Sequence, residues 1–178
     1  MHPTDEKELI TACINNNRKA QRELYEHYAP IMMTVTLRYV GNYDIAQDVL
    51  QDAFVKVFSS LQSFSGSGSL EGWIRRIVIN TVLEYLRNND VLHESVELEE
   101  AISSATISET ALDDISVEEL MKIIASLPSG FRTVFNMFAI EGYSHKEIAQ
   151  QLNITESTSR SQFNRAKALI KKKIEDLQ

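Results

Sequence analysis

Residues 91–115, VLHESVELEEAISSATISETALDDI, carry seven carboxylates and no Lys, Arg, Gly, Pro, Phe, Tyr or Trp. Their aliphatic residues are scattered among Ser, Thr and Glu, and so offer too little apolar surface to offset the entropy of ordering. The stretch reads as a flexible acidic tether, with a weak amphipathic helix as the other option. Stable structure must then be built on either side of it, in residues 1–90 and 116–178, each long enough for one small core. The same segment resolves a conflict of charge. The chain holds 18 Lys plus Arg against 25 Asp plus Glu, net −7. By segment, residues 1–90 hold 9 basic and 11 acidic side chains, 91–115 hold none and 7, and 116–178 hold 9 and 7. The negative excess sits in the middle, and the C-terminal part is mildly basic. A polyanion-binding surface can therefore belong to an acidic protein.

At 178 residues, 43% hydrophobic and 24% charged, the composition is that of a soluble globular protein. No apolar run approaches the ~20 residues of a membrane span, and MHPTDEKELI lacks the character of a signal peptide. A cytoplasmic location is expected. The single cysteine, Cys13, falls among Leu9, Ile10 and Ile14 and is expected to be a small buried apolar residue. It permits neither an internal disulfide nor a zinc cluster. His2, His27, His93 and His145 are scattered, and no phosphate-cradling Gly loop or nucleophile elbow appears. No cofactor, metal or catalytic residue is expected, and His145 reads as a surface residue.

Both outer parts show helical periodicity and no strand or hairpin signal. Thr4 or Asp5 is expected to cap a helix reaching Asn15, and Asn17 a second one towards Val40, which Pro30 should bend or interrupt. After the breaker GNYD (41–44), Asp44 is expected to cap a helix with Ile45, Val49, Ala53 and Val57 in one stripe. FSGSGSL (64–70) is a loop, and a helix follows from about Glu71 to Arg87. Beyond the acidic segment come a helix near 116–126, another from Pro128 through Ile140, then EGY.

KEIAQQLNITESTSRSQFNRAK (146–167) is the most informative stretch. Ser144 and Glu147 have the spacing of a capping box. Ile148, Ala149 and Leu152 form an apolar stripe. Asn153 stands where the chain must turn sharply, and Thr155 is suited to cap the next helix. On a helical wheel Ser159, Phe163, Ala166 and Ile170 share one face, edged by Gln162 and Leu169. Ser157, Arg160, Ser161, Asn164 and Lys171 lie opposite, flanked by Arg165 and Lys167. Residues 160–173 hold six basic side chains and no acidic one. The pattern is that of a helix-turn-helix, although a solvated amphipathic hairpin would look similar.

Three motifs in register carry a resemblance: DIAQDVLQDAFVKVF (44–58), GWIRRIVINTVLEYLR (72–87), and LPSGFRTVFNMFAIEGYSHKEIAQQLNITE (127–156) continuing into SRSQFNRAK. Their order and spacing resemble the extracytoplasmic-function (ECF) sigma factors, which direct bacterial RNA polymerase to promoters. The resemblance implies an all-α protein: region two over 1–90, an acidic linker over 91–115, and region four over 116–178. It implies core RNA polymerase and promoter DNA as partners, with an anti-sigma factor as a further one. In the 44–58 helix it assigns Asp48, Gln51 and Asp52 to polymerase binding, although an acidic helix face alone is usually just solvated. It assigns the loop with Ser67, and Trp73, Arg75, Arg76 and Asn80, to capture of the minus-ten strand. Such a loop can fold around an extruded base whose edge Asn80 reads while the arginines hold phosphates. Core packing is the stronger reading of Trp73, whereas Arg76 and Asn80 fit strand capture better. Region four would read the minus-thirty-five element with Thr155, Ser157, Arg160, Ser161, Asn164, Arg165 and Lys167.

The chain departs from the family pattern in places. Glu84 and NND (88–90) replace more basic positions, which implies a weaker non-specific grip on DNA. Ser159 stands where a β-branched apolar residue is common, implying looser packing of the recognition helix. Gln162 and Asn164 also differ from the commoner basic choices. Two other classes remain to be weighed: a helix-turn-helix regulator that is not a sigma factor, and a helical adaptor that binds protein only. A regulator with a receiver domain would need alternating strands in the first 90 residues, and these are absent from the pattern.

Overall fold

The computed structural model describes residues 3–89 and 116–177, so the acidic linker expected over 91–115 lies outside the described residues. Eight α-helices and short connections make up the described chain, without a strand among the described residues. The protein is all-α, as its periodicity implied. It divides into two compact units, Met1–Leu37 with Asn42–Val82 and Arg38–Gly41 with Leu83–Gln178.

The first unit is built on α1 (Pro3–Ile14), most of α2 (Arg18–Val40), α3 (Tyr43–Ser60) and the first two-thirds of α4 (Leu70–Asn88). α1 starts at Pro3, so Thr4 and Asp5 lie inside its first turn instead of capping it. Proline is well placed there, because a first-turn amide has no carbonyl acceptor within the helix and its absence costs nothing. Asn17 does cap α2, its Oδ1 accepting from the amides of Lys19 and Ala20. Of the two effects expected of Pro30, a bend or an interruption, the interruption does not occur: α2 runs through it. It removes one ladder bond, while Leu24, Tyr28, Met32 and Val35 on either side of it are buried and hold the helix to the core. α3 starts at Tyr43, and its cap is Asn42, whose side chain accepts from Ile45 N at 3.1 Å. Asp44, expected as the cap, sits in the first turn instead, where a carboxylate still favours the positive end of the helix. Ala46, Val49, Leu50, Ala53, Phe54 and Val57 bury the inner face of α3. Each large side chain so buried contributes about 1.5–3 kcal/mol. Cys13 is buried as expected, and burial raises its thiol pKa. α1 and α3 both pack against a 3-10 turn, Leu61–Ser63.

The second unit contains α5 (Val117–Ala125), α6 (Ser129–Phe135), α7 (His145–Leu152) and α8 (Glu156–Glu175). Its core comprises Ile123, Ile124, Leu127, Phe131, Ala166, Ile170 and Ile174, drawn from α5, α6, α8 and, for Leu127, the turn between α5 and α6. α8 packs on α5, α6 and α7. A capping box at Ser116 and Glu119 starts α5. Pro128 occupies the N-cap position of α6. The run expected to stay α-helical through Ile140 widens into a π-helix over Asn136–Ile140, which ends with Glu141 N donating to Asn136 O. A π turn changes the register by one residue and leaves no mark on so short an apolar period. No described helix is long and apolar enough to cross a membrane.

Candidate nucleic-acid interface

The turn between α7 and α8 is built from local bonds. At the start of α7 the capping box is complete: Glu147 N donates to Ser144 Oγ at 3.3 Å, and Ser144 N donates to a Glu147 carboxylate oxygen at 2.8 Å. These bonds to Ser144 hold the Glu147 carboxyl below its ordinary pKa. Asn153 closes α7 in the left-handed region, φ 55 and ψ 44. Asn tolerates that conformation better than other side chains. Thr155 then caps α8, its Oγ1 accepting from Thr158 N at 3.0 Å.

α8 divides cleanly into two faces. Ser159, Gln162, Ala166, Ile170 and Ile174 are buried. Ser157, Arg160, Ser161, Asn164 and Lys167 are exposed on the outer side, and Arg165 is half-buried. Arg160 and Asn164, one turn apart, can enter a single groove together. Arg160 is paired with Glu156 of its own helix at 2.9 Å, a solvent-exposed contact. Such pairs contribute little, so the guanidinium is readily released to another acceptor. Lys167 lies with its Nζ 4.9 Å from the centre of the Phe163 ring. Lys171 departs from the expected outer face: its side chain is only 19% exposed and lies 3.6 Å from Glu175.

Two residues differ from their sequence reading. Ser159, expected to loosen the packing of α8, is fully buried, and its Oγ lies 2.9 Å from Nδ1 of His145. His145 is half-buried, not a surface side chain. Its ring stacks on Phe138 at 4.3 Å and 13° and meets Phe163 edge-on at 5.9 Å. Burial and the nearby Arg160 hold its pKa below the ordinary value.

A second polar face lies on α4. Ser69 Oγ accepts from Gly72 N at 3.1 Å, which caps the helix. Arg76 and Asn80 are exposed, again four residues apart, while Ile74, Val78 and Ile79 are buried beneath them. Trp73 and Arg75 are half-buried, and the Trp73 ring lies 5.6 Å from Phe64. The loop before α4 holds Ser67 exposed between Gly66 and Gly68, at φ +74 and +83.

On α3, Asp48, Gln51 and Asp52 are exposed along one stripe. Val55 continues that stripe and is 68% exposed, a residue the sequence reading overlooked. Its position three and four residues beyond Asp52 and Gln51 was the available signal.

Two helical units, one carrying a helix-turn-helix with an exposed basic and amide face, define the class: an all-α protein with a helix-turn-helix of the kind that enters a DNA groove. Comparison with known proteins narrows it. Residues 24–91 match the model of sigma-70 region 2, and residues 117–170 that of sigma-70 region 4. The ECF RNA polymerase sigma-E factor of Escherichia coli (strain K12) is 30% identical over 182 residues, covering 95% of this chain and 94% of that protein. That of Haemophilus influenzae is 29% identical over 180 residues, covering 95% of each. In fold, the chain is similar to the sigma factor RpoE solved in complex with the anti-sigma factor NepR from Bartonella quintana. The TM-score is 0.50 at 18% identity, covering 85% of this chain and 94% of that one. The chain belongs to the ECF family of RNA polymerase sigma factors. It is a sigma factor that directs DNA-templated transcription initiation, and neither the non-sigma regulator nor the protein-only adaptor is favoured.

Proposed function

We propose that residues 1–90 act as region two, 116–178 as region four, and 91–115 as an acidic connection suited to a basic channel of the polymerase. α3 docks on core polymerase through Asp48, Gln51 and Asp52, with Val55 adding an apolar contact. Ser67, Trp73, Arg75, Arg76 and Asn80 take the minus-ten strand: Asn80 reads a base edge, and the arginines hold phosphates. Arg160 and Asn164 read the minus-thirty-five element, while Thr155, Ser157, Ser161, Arg165 and Lys167 grip the backbone around it. The protein works in the cytoplasm without catalytic chemistry or a cofactor of its own. An anti-sigma factor is a further partner, as for the Bartonella quintana relative.

One observation carries most of this assignment: Arg160 and Asn164 are exposed one turn apart on a helix whose opposite face is buried. Arg suits the paired acceptors of guanine, and Asn the donor–acceptor edge of adenine. The test is transcription by mutant holoenzymes across promoters randomised in the minus-thirty-five element. Arg160→Ala and Asn164→Ala should each cost roughly 1–3 kcal/mol and loosen preference at one or two positions. Lys172→Ala, at an exposed cation beyond the central turns, should weaken all sequences about equally. If Arg160→Ala lowers output uniformly with the preferred sequence intact, the helix holds backbone only.

A further inference from the structure

We propose that His145 and Ser159 form a positioning pair that sets the roll of α8, and with it the aim of Arg160 and Asn164; this rests on α8 being the minus-thirty-five reader. Ser159 is fully buried. A hydroxyl so placed needs a partner, because leaving it unpaired costs a desolvation penalty. His145 supplies one from the other helix of the motif, fourteen residues away, with Nδ1 and Oγ 2.9 Å apart. The imidazole cannot easily follow α8 if the helix turns. Its plane is stacked on Phe138, which lies outside α8, 4.3 Å away and tilted by 13°, while its edge meets Phe163 of α8 itself. Phe163 is itself held against Phe138 at 4.6 Å and Phe135 at 5.9 Å.

The two contacts fall where they control the reading face. Ser159 directly precedes Arg160, and Phe163 directly precedes Asn164. With side-chain tips about 6 Å from the helix axis, a roll of about 10° would displace them by about 1 Å, enough to spoil a base contact. An apolar residue at 159 would resist compression but impose no direction, whereas a hydrogen bond fixes both distance and angle. The groups facing His145 fit a neutral ring in this role. Arg160 on α8 disfavours the imidazolium, Glu156 opposes that effect more weakly, and burial outweighs both. On its own helix the nearest charges are the exposed Lys146 and Glu147.

The test uses full-length variants in reconstituted holoenzyme, transcribing a promoter library randomised in the minus-thirty-five element, with Arg160→Ala alongside and thermal melting of each protein. His145→Phe keeps an aromatic ring and removes the nitrogen; Ser159→Ala removes only the hydroxyl. Each should lower output from the preferred sequences about fivefold to tenfold, in line with loss of a buried hydrogen bond. Each should also broaden preference at the positions that Arg160→Ala broadens. The double variant should be no worse than the more damaging single one, since both break the same bond. His145→Asn, which can place an amide near the Nδ1 position, should recover part of the preference. Should His145→Phe fail to fold, Ser159→Ala carries the comparison. Effects that multiply in the double variant, or losses spread evenly over the library with preference intact, would overturn the pair as a positioning device. Preference altered in Arg160→Ala but unaltered in His145→Phe and Ser159→Ala overturns the inference alone. Preference unaltered in Arg160→Ala overturns the assignment of α8, and the inference with it.

Discussion

Arg76 and Asn80 on α4 and Arg160 and Asn164 on α8 are the same residue types at the same spacing, and all four are exposed. What lies around each pair differs. The α8 pair follows a turn fixed by the left-handed Asn153 and the Thr155 cap. Two buried polar residues, Ser159 and Gln162, lie on the inner face of α8, and the first bonds to His145. The α4 pair rests on a mostly apolar face, where the one buried polar side chain among the described residues of the helix, Thr81, bonds back to Ile77 O of α4 itself. The helix is preceded by a loop with space around it. A Cβ added at Gly66 or Gly68 would meet nothing within 4 Å. A face braced by a polar contact across the motif suits a duplex whose groove geometry is already set. A rigid helix beside an unfilled loop suits a strand that must be unstacked and taken in base by base. Under the proposed assignment, identical pairs of side chains would take different tasks from what supports them.

The contrast can be broken most severely at the floor of α8. Phe131 is fully buried in the cluster that includes Ala166 and Ile170. Phe131→Ala should destabilise the second unit by roughly 3–5 kcal/mol. Denaturant unfolding followed by helical circular dichroism measures the loss. A cost below about 1 kcal/mol would mean that the site collapses without consequence for the core.

A smaller and more selective effect is expected from Asn80→Ala. Loss of a base-edge contact should cost roughly 1–3 kcal/mol in promoter output. The changed preference should be confined to the minus-ten element, leaving minus-thirty-five preference as in the parent protein. Promoter libraries randomised separately in the two elements distinguish this from a general loss of grip. A shift in both would remove the division of labour between the two helices.

Gly68→Ala probes the loop itself. The new methyl group has room, but φ is +83, a conformation that costs an L-residue about 1–2 kcal/mol. The loop should move to a different shape, so minus-ten output should fall while the melting temperature drops only slightly. An unaltered output would show that loop conformation is irrelevant to strand capture.

The least effect comes from the cap of α7. Glu147 is held below its ordinary pKa by its bonds to Ser144. A carboxyl with a depressed folded-state pKa contributes stability above its unfolded value, and that contribution fades as pH falls through the folded value. The melting temperature of Glu147→Ala should therefore lie below that of the parent at neutral pH, and the two should converge as the pH drops below the ordinary Glu range. A gap that persists at low pH would assign the effect to helix propensity.

Several of these features were legible in the sequence because the interactions behind them span three or four residues. The capping box at Ser144, the Asn17 and Thr155 caps, the turn at Asn153 and the two faces of α8 are all of this kind. Helical period, together with the family resemblance, pointed to the all-α class. Choices between local options were not legible. Asn42 and Asp44 can each cap a helix, and the backbone extended at Asn42 selects it. Pro30 carries a local penalty that the buried residues around it override. Other features depend on elements meeting in space. Exposure of Val55, near burial of Lys171 and the widened turn at Asn136–Ile140 follow from which neighbours each helix acquires. The hydrogen bond between His145 and Ser159 belongs here too. Each of the two residues, taken alone, looked like a surface histidine or a packing defect. Only the crossing of α7 and α8 brings the ring nitrogen to the hydroxyl, because a buried polar group selects its partner by geometry and not by distance along the chain.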